Sequence, residues 1–545
     1  MSDSKLMRGT LVLSAATLIS KILGLVYLFP FTAIVGQTGI ALYNYGYLPY
    51  TVLLSLATLG VPLAISKFVS KYNALGDYQT GYRLFKSGLV FMSISGVIAF
   101  FVLFMLAPSI VPFIINDPSS LQGNSFEDIV FTIRMVSVAL VIVPIMSVIR
   151  GYFQGFQSME PTAVSQVIEQ IVRVIFILAV TFSIVRIMEG KIGLAVGFAT
   201  FGACIGALGG LAVLLVYWFK RKSSIQSQVE QSNVNHDLSL PAMYKELISY
   251  ALPLAFVGLA IPFYQLIDLV TFNRTLQSVG YGQQEVETLF AVFSGTAHKI
   301  ILIPMALATA LSITLVPTIT KSFTNNDKDL LQRQITQTYQ IILFLTIPAA
   351  VGLSILAYPV FATLYGIQDV EIGGYILRFY APITLFFSLF SVTSAILQGM
   401  NKQKYAVIAL LVGLIVKLAA NSWLLATIGP LGGVAATYLG YLISIAFTVW
   451  AIGKFANFRY HLVVKRMMLI LLFSIIMAVG VSIINVGMQL FLPLTSWVHA
   501  FLVLVVSIGA GAVIYMYLAY RSHLAGKVLG NRFSFLNKRK QRQHD

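Results

Sequence analysis

Charge is scarce in this 545-residue sequence: Asp, Glu, Lys and Arg together make up 10% of it, against about 25% in soluble domains. The chain is instead 58% hydrophobic with a mean hydropathy of +0.86. A soluble globular enzyme is excluded, and an all-α, polytopic membrane protein is expected. Cysteine is nearly absent too. The single Cys204 excludes a disulfide framework and a cysteine metal cluster. Enzyme signatures are missing: the sequence contains no GxxxxGK[ST], HExxH, CxxC or GxSxG. A membrane transferase needs acidic residues to hold a metal, yet Glu169 and Asp268 are the only carboxylates well inside apolar stretches. Catalysis, a bound metal and a cofactor are therefore not expected. A cleaved leader is not expected either, because the apolar run behind the basic N-terminal flank is too long for one and offers no clear small-residue cleavage site.

What the sequence does have is long apolar runs. They fall at residues 9–35, 47–69, 84–107, 129–149, 161–186, 191–219, 247–272, 288–319, 335–357, 373–397, 403–427, 430–453, 466–488 and 497–520, which predicts about fourteen transmembrane helices. Several contain proline, for example Pro30, Pro62, Pro144, Pro253, Pro304 and Pro348, which membrane helices tolerate where neighbours or water satisfy the freed backbone groups. A net charge of +17 could suggest nucleic acid, but the cations sit in short loops, so no nucleic-acid partner is expected. With fourteen spans, 27 Lys and Arg lie on the side of the N-terminus, including a run in the C-terminal tail, and 3 lie opposite. That asymmetry predicts both termini in the cytoplasm.

The halves of the chain echo each other. Arg134 and Arg378, Gln154-Gly155 and Gln398-Gly399, and Ile171-Val172-Arg173 and Ile415-Val416-Lys417 all differ by 244 positions, while Ser66-Lys67 and Thr320-Lys321 differ by 254. Two six-helix, pseudo-repeated bundles around a central cleft are expected, at 1–219 and 244–457, joined by a flexible polar linker at 220–243. Two further helices at 458–521 and a basic tail at 522–545 follow. An even number of spans in each half relates the bundles by an axis along the membrane normal, an arrangement suited to alternating access.

Ionised groups inside the apolar runs are the candidate sites, since each costs at least about 2.5–3.5 kcal/mol at the bilayer centre. Lys21 lies 13 positions after Arg8, roughly 20 Å along a helix rising about 1.5 Å per residue. Lys299, preceded by His298, is at a similar depth in the eighth run. Together they suggest a cationic cavity for an anionic substrate group. The alternative is a structural lysine paired with a carboxylate such as Asp268. Arg134 and Arg378 lie near the outer ends of their runs, where snorkelling accounts for them. Glu169 and Arg173 are one turn apart and suit an intrahelical ion pair. Lys417 has no acid at that spacing, only Asn421. The Gln-Gly pairs read as helix C-caps or hinges, and Tyr43, Tyr45, Tyr47 and Tyr50 as an interfacial aromatic belt.

Ile19-Ser20-Lys21-Ile22-Leu23-Gly24 resembles the S-[RK]-[VI]-L-G signature in the first span of MurJ-type lipid II flippases, members of the MOP (MATE/polysaccharide exporter) superfamily. Ala297-His298-Lys299 resembles the Ala-Asp-Arg stretch of their eighth span, and Pro317-Thr318-Ile319-Thr320-Lys321 their P-x-[LI]-[ST]-K ending. The Gln-Gly repeat is shared with polysaccharide exporters, and the nearest branch is the Gram-positive SpoVB/YtgP-like one. The resemblance covers the whole chain. It implies a flippase in the bacterial cell membrane that carries an undecaprenyl-pyrophosphate-linked peptidoglycan precursor, lipid II, to the outer leaflet. It also implies membrane lipids and cell-wall synthesis proteins as partners. Lys21 and Lys299 match essential cavity arginines of that family. Two further arginines are unmatched, at Tyr27 and near Leu54. The last two helices correspond to a groove for the lipid tail. An exporter of another lipid-linked glycan (teichoic acid or capsule) and a MATE-like drug or cation antiporter are the alternatives, with a membrane glycosyl- or phosphotransferase further off.

Overall fold

The computed structural model describes residues 2–58, 61–115, 123–232 and 240–529, and these are helices joined by short turns, with no strand among them. Ten helices are long and apolar enough to cross a membrane. Two bent pairs, Ala15–Val26 with Leu28–Thr58 (43°) and Val370–Tyr380 with Ile383–Gly399 (40°), raise the number to twelve. Fourteen is not reached by this measure among the described residues. Part of the reason is that the run expected at 247–272 breaks at Leu259. The chain divides into two compact units, Met1–Ala291 and Val292–Asp545. That division falls later in the chain than the stretch expected to be a linker. The first part of that stretch, 220–230, continues a helix, residues 233–239 lie outside the described residues, and a new helix starts at Leu240.

The first unit contains α1 (Ser2–Val26), α2 (Leu28–Thr58), α3 (Val61–Ala74), α4 (Tyr78–Ile114), α5 (Phe126–Ser137), α6 (Ala139–Gly155), α7 (Glu160–Phe182), α8 (Ile192–Glu230), α9 (Leu240–Gly258), α10 (Ala260–Ser278) and α11 (Gln283–Phe290). Within α2, Gly36 takes φ 69°, a left-handed value natural to glycine. It ends the first apolar run at Val35, as its composition predicts. Asp77 caps α4 by accepting from the Thr80 amide, and Ser125 and Asp128 form a capping box on α5. Tyr45, Phe31 and Phe290 are fully buried, and Cys204 on α8 is 3% exposed.

The second unit opens with a π-helical stretch, Ala291–Ala297, straddling the division. It runs into α12 (His298–Thr324), α13 (Lys328–Ile355), α14 (Ala357–Tyr365), α15 (Val370–Tyr380), α16 (Ile383–Gly399), α17 (Gln403–Ile428), α18 (Leu431–Ala456), α19 (His461–Phe491), α20 (Trp497–Arg521) and α21 (Leu524–Leu529). The basic tail from 530 lies outside the described residues.

The internal repeat is written in the turns. After α6, backbone bonds run from Phe156 N to Tyr152 O, Gln157 N to Gln154 O and Ser158 N to Phe153 O. After α16 the same bonds run from Met400 N to Ile396 O, Asn401 N to Gln398 O and Lys402 N to Leu397 O. The offset is 244 throughout. The left-handed residue in each turn is Gln157 (φ 57°) or Asn401 (φ 55°), not the glycine of the Gln-Gly pair. Those glycines serve close packing instead. A Cβ at Gly155 would lie 2.6 Å from Val69 Cβ, and one at Gly399 would lie 2.7 Å from Ile319 Cβ. The turns after α3 and α12 also match, at an offset of 250. Leu75, Gly76 and Asp77 bond to Lys71, Asn73 and Tyr72, just as Asn325, Asn326 and Asp327 bond to Lys321, Phe323 and Ser322. The structural partner of Lys321 is therefore Lys71, and the 254 offset of Ser66-Lys67 is not the register of the backbone.

Candidate functional site

In the first unit, Lys21 sits on a polar seam between α1 and α7. Thr17, Lys21 and Gly24 share one face of α1, spaced i, i+4 and i+7. Thr17 Oγ1 lies 3.3 Å from Gln166 Oε1, and a Cβ at Gly24 would lie 3.2 Å from Gln170 Nε2. Gln166, Gln170 and Arg173 repeat the same spacing on α7. Lys21 is exposed and takes part in none of the ion pairs among the described residues. Asp268, the carboxylate considered for it, is buried on α10.

One turn further along α7 the expected pair between Glu169 and Arg173 is present, at 2.6 Å. It is not isolated. Arg150, counted from sequence among the loop cations, lies on α6 and donates to Glu169 Oε2 at 2.9 Å and to Ser165 Oγ at 2.7 Å. All three ionised side chains are 15–16% exposed. Two guanidinium groups thus share one carboxylate, leaving a net positive charge inside the unit. Arg173 also donates to the Tyr47 hydroxyl at 3.3 Å. That ring stacks on Tyr43 at 5.2 Å, and Asn273 donates to the Tyr45 hydroxyl. Tyr43, Tyr45 and Tyr50 are 0–4% exposed, so these three tyrosines are packed inside the unit rather than forming an interfacial belt. Arg134 is half-buried, donates to Phe104 O at 3.3 Å and lies 4.8 Å over the Phe104 ring, which makes it a structural anchor.

In the second unit, His298 and Lys299 open α12 directly after the π-helical stretch. Such stretches interrupt α-helices with a wider turn and often mark functional positions. His298 is 4% exposed and its Nδ1 is 2.9 Å from the Tyr380 hydroxyl, with the Phe387 ring 6.0 Å away. Lys299 is half-buried. Lys417 on α17 is fully buried and donates to Thr437 Oγ1 on α18 at 2.7 Å. Arg378 is exposed on α15, and only its carbonyl, which accepts from Ser354, is engaged in the hydrogen bonds described.

Beyond Lys299 on α12, Ile303 and Pro304 line an apolar cavity of about 360 Å³ together with Leu353, Met477, Val481 and Tyr515. It lies among α12, α13, α19 and α20, so the last two long helices close a hydrophobic space that starts one turn from the candidate lysine.

Two interior charged residues are not apparent from the sequence. Arg150 was hidden by its place beside an expected loop. Glu287 falls just outside the eighth apolar run, yet its carboxylate is fully buried. It accepts from the Asn124 amide and side chain at 2.9–3.0 Å and from Gln283 at 3.3 Å. A signal for the polar seam was present in the Gln166, Gln170, Arg173 spacing.

A family model described as polysaccharide biosynthesis protein matches residues 6–323, and one described as MatE matches residues 253–423. The chain is 46% identical over 533 residues to lipid II flippase MurJ of Bacillus subtilis, covering 97% of this chain and 98% of that protein. A solved structure of lipid II flippase MurJ in an inward closed conformation superposes with a TM-score of 0.66 at 17% identity, covering 94% of this chain and all of that one. An inward-facing multidrug resistance MATE transporter superposes with a TM-score of 0.64 at 13% identity, over 82% of this chain and 95% of that one.

Proposed function

Because this chain belongs to the polysaccharide biosynthesis protein family, in its MurJ-type lipid II flippase branch, we propose that it is a multi-pass cell-membrane flippase that carries lipid II from the inner to the outer leaflet. The observation that carries this reading is the 46% identity maintained over 97% of the chain. It is a transporter, not an enzyme.

The physics of the task fits the residues. A disaccharide-peptide head with a pyrophosphate cannot cross hydrocarbon, so cationic, hydrated groups must shelter it. Lys21 and Lys299 supply charge-assisted hydrogen bonds to the pyrophosphate, with His298 and Lys417 adding donors and positive field around Lys299. Lysine gives a point charge where arginine would give a bidentate fork, so several ammonium groups are needed to hold one pyrophosphate. The polyprenyl tail lies in the apolar cavity walled by α12, α13, α19 and α20, which starts next to Lys299. Both termini face the cytoplasm. In a cell with a negative interior, outward movement of an anion is then downhill by about 2.3 kcal/mol per charge per 100 mV, and no nucleotide site is required. The repeats at 1–219 and 244–457 work by alternating access, supported by their matching turns, and 458–521 adds the tail-holding pair.

Replacing Lys21 or Lys299 singly by alanine, with outer-leaflet lipid II measured in cells depleted of other flippases, tests the reading. Loss of flipping of about tenfold or more, with normal membrane insertion, is expected, because a hydrogen bond to a charged group contributes about 1.5–3 kcal/mol. Undiminished lipid II exposure in both variants overturns the site assignment. Undiminished exposure after deletion of the whole chain overturns the function.

A further inference from the structure

Near its N-terminal end α19 carries Lys465 and Arg466 side by side in its second turn, and its first turn has no acid. Neither Lys465 nor Arg466 belongs to an ion pair among the described residues. Arg466 donates to the neutral amide oxygen of Gln340. Two adjacent cations therefore share one face of α19, and no carboxylate is described beside them.

A space for an anion is present. Lys465 and Arg466 line a cavity of about 510 Å³ whose other walls include Met468, Leu469, Leu472 and Leu524. It is polar at one end and apolar along the other, running down one face of α19. It is distinct from the apolar cavity near Lys299, with which it shares no lining residue. A free phosphate would satisfy the cations but leave the apolar wall open. A neutral lipid would fill the wall but leave the cations uncompensated. Basic pockets at the ends of membrane helices suit anionic lipid head groups.

We propose that the start of α19 is a binding site for an anionic glycerophospholipid, its phosphate on Lys465 and Arg466 and one acyl chain along Met468, Leu469 and Leu472. The full chain, purified in detergent, is titrated with phosphatidylglycerol, phosphatidylcholine and inorganic phosphate, and binding is followed by native mass spectrometry. The unaltered protein is expected to retain phosphatidylglycerol at least about tenfold more tightly than phosphatidylcholine, a difference of about 1.4 kcal/mol. The double variant Lys465→Gln, Arg466→Gln is expected to lose that preference. Leu469→Trp, which fills the apolar wall and leaves both cations, is expected to weaken retention while the protein still unfolds cooperatively on heating. Equal retention of the two lipids, an unchanged preference in both variants, or inorganic phosphate competing as strongly as the lipid overturns the proposal.

Discussion

Glu169 holds two guanidinium groups inside the first unit, and its removal has a calculable cost. With Glu169→Gln, Arg150 and Arg173 face each other across α6 and α7 with no carboxylate between them. Breaking a buried pair by deleting one partner costs about 3–5 kcal/mol. At 15% side-chain exposure the lower end applies, so a loss of about 3 kcal/mol is expected in a denaturation series in detergent. Restoring balance with Arg150→Met in the same chain is expected to recover part of it. A result in which Glu169→Gln unfolds like the unaltered protein would remove the network from the account of this unit's stability. The sequence disclosed only the pair within α7, because i and i+4 are neighbours on any helix. Arg150 arrives from 19 positions away through tertiary packing, and periodicity is silent about that. Glu287 shows the same limit. Gln283 is a helical neighbour at i−4, but nothing at positions 283–287 predicts that Asn124, more than 150 residues earlier, will donate three more hydrogen bonds to the carboxylate.

At the level of single helices, the Gln-Gly repeat illustrates a correct location with a different cause. The sequence placed helix ends there, and α6 and α16 do end at Gly155 and Gly399. Glycine's left-handed freedom is not used, since Gln157 and Asn401 carry the positive φ. What glycine provides is approach. Gly155→Ala places a methyl 2.6 Å from Val69 Cβ and 3.0 Å from the Ser66 carbonyl, and Gly399→Ala meets Ile319 and Val316 in the same way. Overpacking of this kind costs about 1–3 kcal/mol. Each variant is expected to melt several degrees lower than the unaltered protein, while Gln157→Gly is expected to be neutral or slightly stabilising. A melting point unchanged in both alanine variants would mean that α3 and α12 yield freely. The apolar runs were legible because a span needs an uninterrupted apolar surface. Breaks inside them, at Tyr27 and Leu259, depend on one or two φ/ψ values that composition does not encode.

For the molecule as a whole, the 27-to-3 distribution of cations was read with Arg150 on the loop side, and that residue now belongs to the interior. One cation fewer leaves the asymmetry intact, so the proposed orientation stands on the remaining loops. It is open to direct measurement. Ser224→Cys, exposed on the extension of α8, is expected to be shielded from a membrane-impermeant maleimide in intact cells. Ser278→Cys, exposed at the end of α10, is expected to react. The reverse pattern would invert the topology and, with it, the direction of the field acting on the substrate.

The background for that experiment is supplied by Cys204. Its thiol is 3% exposed on α8, and the chain has no other. The native molecule is thus expected to react little with maleimides and methanethiosulfonates, which labelling of the unaltered protein checks before a reporter is installed. Any thiol added by mutagenesis speaks alone, so spin labels or fluorophores placed in pairs can follow the transport cycle on an otherwise unaltered protein.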